Sequence, residues 1–378
     1  MKKVVEISHA IAEIVSKVGP KVIAAYPITP QTHIVERLSE LVANGELDAE
    51  YLNVESEHSA MSATMGAQAC GVRAYTATAS QGLALMHEVL SVVAGERLPV
   101  VIHVANRTLS APLTIWNDWS DSFPERDNGW IQFYAENGQD AVDTTIMAYR
   151  IAENHNVLLP LMINIDGFIL SHVYEPIDIP STEEVQKFVG EYKPIAKLDV
   201  DNPMTIGEYA TPDNFQEFKE QQWNAMMEAK KLIPAIASEF KEKFGRDYGN
   251  GLVETYNMEN AKHAIITMGS VVGTFKHFID QGVDDIGIIK IRSFRPFPFE
   301  DIAKLTEGLE SVGVFEKVIS LGLGGPLAHE IKSSLNVPMI SFVGGLSGRD
   351  ITLRDVDYMF NKIRENKNGF EWIGSKLK

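Results

Sequence analysis

The sequence predicts an α/β fold in which a largely parallel sheet is covered by helices on both faces. Three observations lead there. Apolar runs at 22–26, 72–78, 98–105 and 157–165 are nearly continuous, as strands buried on both faces require; half-exposed strands would alternate. Between them lie stretches with helical apolar spacing, so strand and helix alternate along the chain. The first three runs end in Pro27-Ile28-Thr29-Pro30, Ala79-Ser80-Gln81-Gly82 and Asn106-Arg107. Those residues therefore sit at carboxyl ends of strands, where open α/β sheets keep their ligand crevices.

Taken in order, Ser8 can cap a helix carrying Ile11, Ile14, Val15 and Val18, which stops at Gly19-Pro20. The run at 22–26 ends in a stiff two-proline elbow. Thr29 before Pro30 fits an N-cap followed by the favoured first helical residue, whose missing N–H costs nothing there. The helix that follows carries Ile34, Leu38, Leu41 and Val42 and ends at Asn44-Gly45, and 51–54 is a short strand. Residues 56–67, dominated by Ala, Ser, Met and Gly, read as a helix with a slim face that a backbone or ligand can approach closely. After the strand at 72–78, the Ala79-Ser80-Gln81-Gly82 turn leads into an apolar helix at 83–93.

The stretch 110–129 is irregular, aromatic and charged, with Trp116, Asp118, Trp119, Asp121, Arg126 and Asp127. A long loop of this kind inside a compact domain is usually functional, and its tryptophans speak against disorder. Residues 130–134, a helix at 139–153 and a strand at 157–165 complete the first unit. Pro176, Pro180, Pro194, Pro203 and Pro212 mark a long connector. An amphipathic helical stretch follows at 214–244, with Phe218, Met226, Met227, Ile233 and Ile236 on its apolar side and an interruption at Pro234. A second α/β unit begins at Lys262. Its expected strands are 264–268, 286–291, 318–321 and 339–343, with a glycine turn at 322–325 before a helix at 326–335. The chain so divides into an α/β domain at 1–170, an extended connector with a helical stretch at 171–255, and a second domain at 256–378.

The totals exclude several function classes. The 378 residues are 45% hydrophobic and 22% charged, with a net charge of -17 and no dense basic stripe, which argues against nucleic acid or an anionic membrane as primary partner. No apolar run approaches the ~20 residues of a membrane span. The opening MKKVVEISHAIAEIVSKVG alternates charge with helical apolar spacing and reads as folded protein rather than a leader. The lone cysteine, Cys70, cannot form an internal disulfide, a four-cysteine zinc site or an iron–sulfur cluster. A reducing, cytoplasmic setting is expected, and the small neighbours of Cys70 suggest buried packing. No HxH, HExxH or CxxC pairing points to a dedicated metal cage.

Glu57 opens a helix directly after a strand, among residues with almost no bulk. A carboxylate in a first turn is explained equally by the helix dipole or by a role toward a ligand. Arg107, at the end of a strand, can offer a bidentate fork to a carboxylate, or pair with Asp118 or Asp121. His33, His58 and His103 read as structural or solvent-facing. The Gly322-Leu323-Gly324-Gly325 turn lacks the lysine of a phosphate loop.

Ala25-Tyr26-Pro27-Ile28-Thr29-Pro30, Ser56-Glu57-His58, Thr78-Ala79-Ser80-Gln81-Gly82, Asn106-Arg107 and Ile291-Arg292-Ser293-Phe294-Arg295-Pro296-Phe297 occur in this order. Together they resemble the alpha chains in the pyruvate (pyruvate synthase) branch of the thiamine-diphosphate-dependent 2-oxoacid:ferredoxin oxidoreductases. The resemblance runs over nearly the whole chain. It implies a pyrimidine-binding α/β module followed by a domain like the C-terminal domain of transketolases. By position, Glu57 matches the glutamate that hydrogen-bonds the cofactor's aminopyrimidine ring, with Pro27, Ile28, Ser80 and Gln81 lining the cofactor. Thr29 and Arg107 match the pair holding the substrate carbonyl and carboxylate. A carboxylate on the ring nitrogen favours the imino form that deprotonates the thiazolium carbon.

The resemblance also implies what must come from elsewhere. The family's diphosphate and magnesium are held by a GDG…N-type motif, and the nearest text here is Ile165-Asp166-Gly167-Phe168, which is not one. The diphosphate-binding site with its magnesium is expected on a beta chain, and iron–sulfur clusters on the other subunits, which include ferredoxin-like and gamma chains. Ferredoxin, coenzyme A and pyruvate, or a branched-chain or aromatic 2-oxoacid, are the expected reaction partners. A non-catalytic assembly subunit and a stand-alone transketolase-like enzyme are the readings of other classes.

Overall fold

The computed structural model describes residues 2–377. The first part of the chain comprises β1 (Lys2–Glu6), α1 (Ile7–Val18), β2 (Val22–Ala25), α2 (Thr32–Ala43), β3 (Glu50–Asn53), α3 (Glu57–Ala69), β4 (Ala74–Thr78) and α4 (Ser80–Gly95). It continues through β5 (Val101–Asn106), β6 (Ile131–Tyr134), α5 (Gly138–Ala152), β7 (Leu161–Asp166), β8 (Tyr174–Asp178), α6 (Thr182–Val189) and α7 (Phe215–Phe244). The remainder is β9 (Val253–Tyr256), β10 (His263–Thr267), α8 (Val271–Ile279), β11 (Ile286–Ile291), β12 (Ser293–Arg295), α9 (Phe299–Leu305) and β13 (Ser311–Glu316). It ends with α10 (Pro326–Lys332), β14 (Met339–Val343), α11 (Leu353–Arg364) and β15 (Gly369–Trp372).

Two mainly parallel sheets result, as the apolar runs predict. One has the order β12-β6-β7-β5-β4-β2-β3 and the other β15-β14-β13-β10-β11-β9. Only the β12–β6 and β9–β11 pairs in them run antiparallel. Strands β4, β5 and β7 are buried along their whole length, which is why their sequences carry no alternation. Because β12 leaves the second unit to pair with β6, the two units share a sheet as well as an interface.

Several local expectations fail for identifiable reasons. Ser8 does not cap α1; it lies inside the helix and its hydroxyl donates to Ser171 O at 2.6 Å. Residues 2–6 form a strand against β8, a pairing between segments far apart in sequence. The connector thus contains a strand, and α6 with its capping box of Ser181 and Glu184. Helix α7 runs through Pro234 unbroken, and Phe218 on it is exposed. In the second unit the central strand is Ser311–Glu316 rather than 318–321; Gly313 within it leaves room for Ile363 and Phe342, and that glycine weakens the strand signal. Cys70 is exposed at the C-cap of α3 rather than buried.

Two buried polar clusters join the units. Lys290 Nζ donates to Glu136 at 2.8 Å, Asp140 at 3.0 Å and Glu254 at 3.0 Å, and Arg292 reaches Asp140 and, at 2.9 Å, Thr144 Oγ1. Burial alone would raise the Asp140 carboxyl, yet Arg292 and Lys290 hold it well below the usual carboxylate range. The second cluster centres on Asp166, the last residue of β7. It accepts from Lys317 Nζ at 2.8 Å, Trp119 Nε1 at 2.9 Å, Asn117 Nδ2 at 3.1 Å and the Ser270 N–H at 3.1 Å. Here too burial raises the carboxyl, and Lys317, Ser270 and Trp119 outweigh it.

Removing one member of a buried pair leaves an uncompensated charge. Lys317→Met is therefore expected to destabilise the chain by about 3–5 kcal/mol, read as a lower urea midpoint. Adding Asp166→Asn to that variant should recover part of the loss.

Candidate active site

The residues marked by sequence gather along one edge. Strands β3, β2, β4 and β5 are adjacent and parallel. Their carboxyl ends lead into Glu57, the elbow, the turn at Ser80 and Arg107 respectively. One crevice line thus carries groups drawn from 29 to 107 in sequence.

At the elbow, Thr29 is not the N-cap. Helix α2 starts at Thr32 with Gln31 in the capping position. Gln31 instead ties the turn together: its N–H donates to Ile28 O at 2.9 Å and its Nε2 to Tyr26 O at 2.9 Å. Side-chain tethering of the elbow thus starts the helix two residues later than a Thr-Pro cap would. Pro27 and Thr29 are left exposed and Ile28 half-buried.

Helix α3 forms as predicted and is capped by Ser56, whose Oγ accepts the Ser59 N–H at 3.2 Å. Glu57, its first residue, is only 7% exposed, and no hydrogen bond or ion pair reaches its carboxylate from the described residues. Gly82 lies directly over it: a Cβ there would stand 2.7 Å from Glu57 Oε1 and 2.6 Å from Thr78 Oγ1. The glycine lets α4 close against α3. Thr78 Oγ1 is likewise buried without a partner. A buried, unpaired carboxylate beside an unsatisfied hydroxyl is costly in a free chain and suits a ligand that brings a proton donor.

Helix α4 begins at Ser80, not after Gly82. Ser80 has φ 49, a left-handed conformation disfavoured for a residue with a Cβ and commonest where the surroundings over-determine it. Its N–H donates to Asp121 Oδ2 at 2.9 Å and its hydroxyl to Thr108 O at 2.8 Å. Gln81, the next residue, is half-buried.

Arg107 is 9% exposed. Its Nη1 donates to Thr29 O at 3.0 Å and its Nε to Thr114 O at 3.0 Å. Arg107 and Thr29 are thus brought together, but through the threonine carbonyl, with the hydroxyl left uninvolved. The guanidinium pairs with neither Asp118 nor Asp121. Asp118 instead accepts from Thr108 Oγ1 at 2.7 Å and Ser120 Oγ at 2.6 Å, and Asp121 takes only the Arg107 backbone N–H, at 2.9 Å. The guanidinium hydrogen-bonds to neutral oxygens alone among the described residues, and Asp121 acts on its charge only through space.

Sequence reading left Asp121 as a loop acid. The structure buries it completely beneath the edge, with Oδ1 accepting from Asn106 Nδ2 at 2.9 Å and the Ser122 N–H at 2.8 Å. Burial pushes its carboxyl up to about 7, opposed by the bonds from Arg107, Asn106 and Ser80. Its placement depends on the folding of 108–121 and leaves no trace in local periodicity. His103, read as structural, lies inside the sheet between Tyr75 and Thr145, with burial lowering its pKa to about 3.

Comparison with known proteins bears on this edge. Residues 13–238 match the family described as pyruvate flavodoxin/ferredoxin oxidoreductase, thiamine diphosphate-binding, and residues 261–356 match the pyruvate:ferredoxin oxidoreductase core domain II. Pyruvate synthase subunit PorA of Methanocaldococcus jannaschii is 51% identical over 99% of this chain and 98% of its own. The subunit of the same name from Pyrococcus furiosus is 47% identical over 99% and 98%. Ketoisovalerate oxidoreductase subunit VorA of Pyrococcus horikoshii is 44% identical over 94% and 92%. Among solved structures, the 2-oxoglutarate:ferredoxin oxidoreductase of Magnetococcus marinus shares the fold at TM-score 0.73 and 19% identity; the match covers 97% of this chain and 65% of that one. A split-gene transketolase shares it at TM-score 0.56 and 13% identity, over 97% of this chain and 100% of the other.

An unpaired buried charge leads to a stability prediction that does not depend on activity. Glu57→Gln should raise the thermal midpoint of the separated chain or leave it unchanged, whereas Gly82→Ala should destabilise it by about 1–3 kcal/mol through overpacking. A clear loss of stability in Glu57→Gln would mean that the carboxylate has a partner within the chain.

Proposed function

Since the chain belongs to the pyruvate flavodoxin/ferredoxin oxidoreductase family, we propose that its exposed sheet edge is half of an active site shared with a partner subunit. The chain then acts as the alpha subunit of a pyruvate:ferredoxin oxidoreductase. The complex converts pyruvate and coenzyme A to acetyl-CoA and CO2 with reduction of ferredoxin, or runs the reverse. The carrying observation is a pair of buried opposite charges, Glu57 and Arg107, on one sheet edge, neither in an ion pair among the described residues. Thiamine diphosphate, when bound, supplies a ring nitrogen that presents a proton and an acidic ring carbon whose conjugate base adds to a 2-oxo carbonyl.

The residues fit that group. Glu57 accepts a hydrogen bond from the ring nitrogen and holds the proton there, in a place dry enough to make the bond strong. Gly82 lets α4 close over the carboxylate without displacing it, and Thr78 stands beside it. Pro27, Ile28, Ser80 and Gln81 line the cofactor from the elbow and the α4 turn. Arg107, its guanidinium oriented by the carbonyls of Thr29 and Thr114, takes the carboxylate of the 2-oxoacid, and the Thr29 hydroxyl takes its carbonyl oxygen. A rigid elbow lowers the ordering cost of that contact.

One cysteine cannot hold the clusters that pass electrons to ferredoxin. In this reading those clusters, and the diphosphate and magnesium site, belong to the other subunits of a cytoplasmic complex. No helix among the described residues is long and apolar enough to cross a membrane. Pyruvate is favoured over a branched-chain 2-oxoacid because the pyruvate synthase relative, at 51% identity, is nearer than the ketoisovalerate one, at 44%. With the groups of Glu57, Thr29 and Arg107 all in place, a purely structural subunit is the weaker reading.

In the assembled complex, Glu57→Gln should lower kcat by about 100-fold or more while assembly is retained. Arg107→Ala should raise the KM for pyruvate by about tenfold or more, in keeping with the loss of a charge-assisted contact. Coenzyme A-dependent reduction of ferredoxin measures both; near-normal turnover in Glu57→Gln overturns the reading.

A further inference from the structure

We infer that Asp121 is the positioning residue that sets the substrate-binding arginine in register with the cofactor side of the site. This rests on the roles proposed above for Arg107 and Glu57. Asp121 Oδ2 accepts two backbone N–H groups at 2.9 Å, one from Ser80 after β4 and one from Arg107 after β5. A single oxygen therefore spans the ends of two neighbouring strands. The Ser80 side carries α4, whose Gly82 lies against Glu57. The Arg107 side carries the guanidinium that touches the elbow.

The same carboxylate fixes the loop that aims the guanidinium. Arg107 has no carboxylate partner, so its direction is set by the carbonyls of Thr29 and Thr114. Thr114 belongs to the segment between Arg107 and Asp121. That segment is closed by the Thr108 N–H on Trp116 O at 3.0 Å, the Leu109 N–H on Ser120 Oγ at 2.9 Å and the Asp121 bond itself. The other oxygen is held by Asn106 Nδ2 and the Ser122 N–H, so all four bonds are donated to Asp121. An ionised carboxylate accepts four such bonds; a neutral amide must turn its own N–H2 toward one pair of donors. The left-handed Ser80 is kept in place by the same contact.

The test is Asp121→Asn in the assembled oxidoreductase, assayed at pH 8. The expected result is a rise of tenfold or more in the KM for pyruvate, with the KM for coenzyme A and the subunit composition unchanged. In Arg107→Ala/Asp121→Asn the rise in KM should be no larger than in Arg107→Ala alone, because Asp121 acts through the arginine. An unchanged KM in Asp121→Asn, or effects that multiply in the double variant, overturns the inference. If Arg107→Ala itself leaves the KM unchanged, the function proposed for Arg107 fails instead. Should Asp121→Asn fail to assemble, Asn106→Ala takes its place: it frees Oδ1 but spares the two backbone bonds. It must then raise the KM for pyruvate severalfold and be masked by Arg107→Ala; the absence of either result counts against the inference.

Discussion

One buried carboxylate at the end of a central strand holds the architecture together. Asp166 closes β7 and receives Lys317 from the second sheet, Ser270 from the first turn after β10, and Asn117 and Trp119 from the loop after β5. Burying two charges costs several kcal/mol each, and attraction repays that only when the remaining lone pairs are also satisfied. Here they are, so the pair fixes how three separate pieces of chain meet. The Lys290–Glu136–Asp140 cluster repeats the device at a second point, and β12 adds a shared strand. The 108–121 loop is consequently held from below by the second unit, and the arginine at its base inherits that rigidity.

The edge above Asp166 has the opposite character. The interior acids of the clusters are paired with cations, whereas Glu57 carries no partner and Arg107 is bonded only to carbonyls. Such groups are a stability cost in the chain alone; under the proposed function they are an advantage, because the fold has already oriented them. The cost is local. It falls at one sheet edge, while the apolar clusters behind the sheet stay buried.

Much of this was legible in the sequence. Strands β2, β4, β5 and β7 announce themselves because burial leaves uninterrupted apolar runs, and the Gly19 stop follows local rules. Thr29 and Arg107 could be singled out because each lies just beyond such a strand, and Glu57 because it opens a helix of small residues after the short β3. Misreadings arose where a side-chain contact overrides the local pattern. A threonine before a proline has the local form of a cap, but Gln31 folding back on Tyr26 starts the helix later. Ser8 has the form of a cap as well, yet its hydroxyl is claimed by Ser171, 163 residues away. Gly313 hides a central strand, since small residues that admit a neighbour also dilute the apolar signal.

The sequence by itself determined the alternation of strands and helices, the carboxyl-end position of Glu57, Thr29 and Arg107, and a single cysteine that cannot hold an iron–sulfur cluster. These follow from periodicity, turn chemistry and composition, all short-range or additive properties. Only the tertiary structure decided that the Arg107 guanidinium turns to two carbonyls and not into an ion pair, that Glu57 stays unpaired beneath Gly82, and that Asp121 and Asp166 fasten the loop between them. Pairing of buried charge depends on which side chains arrive within about 3 Å of one another, and no local pattern encodes that.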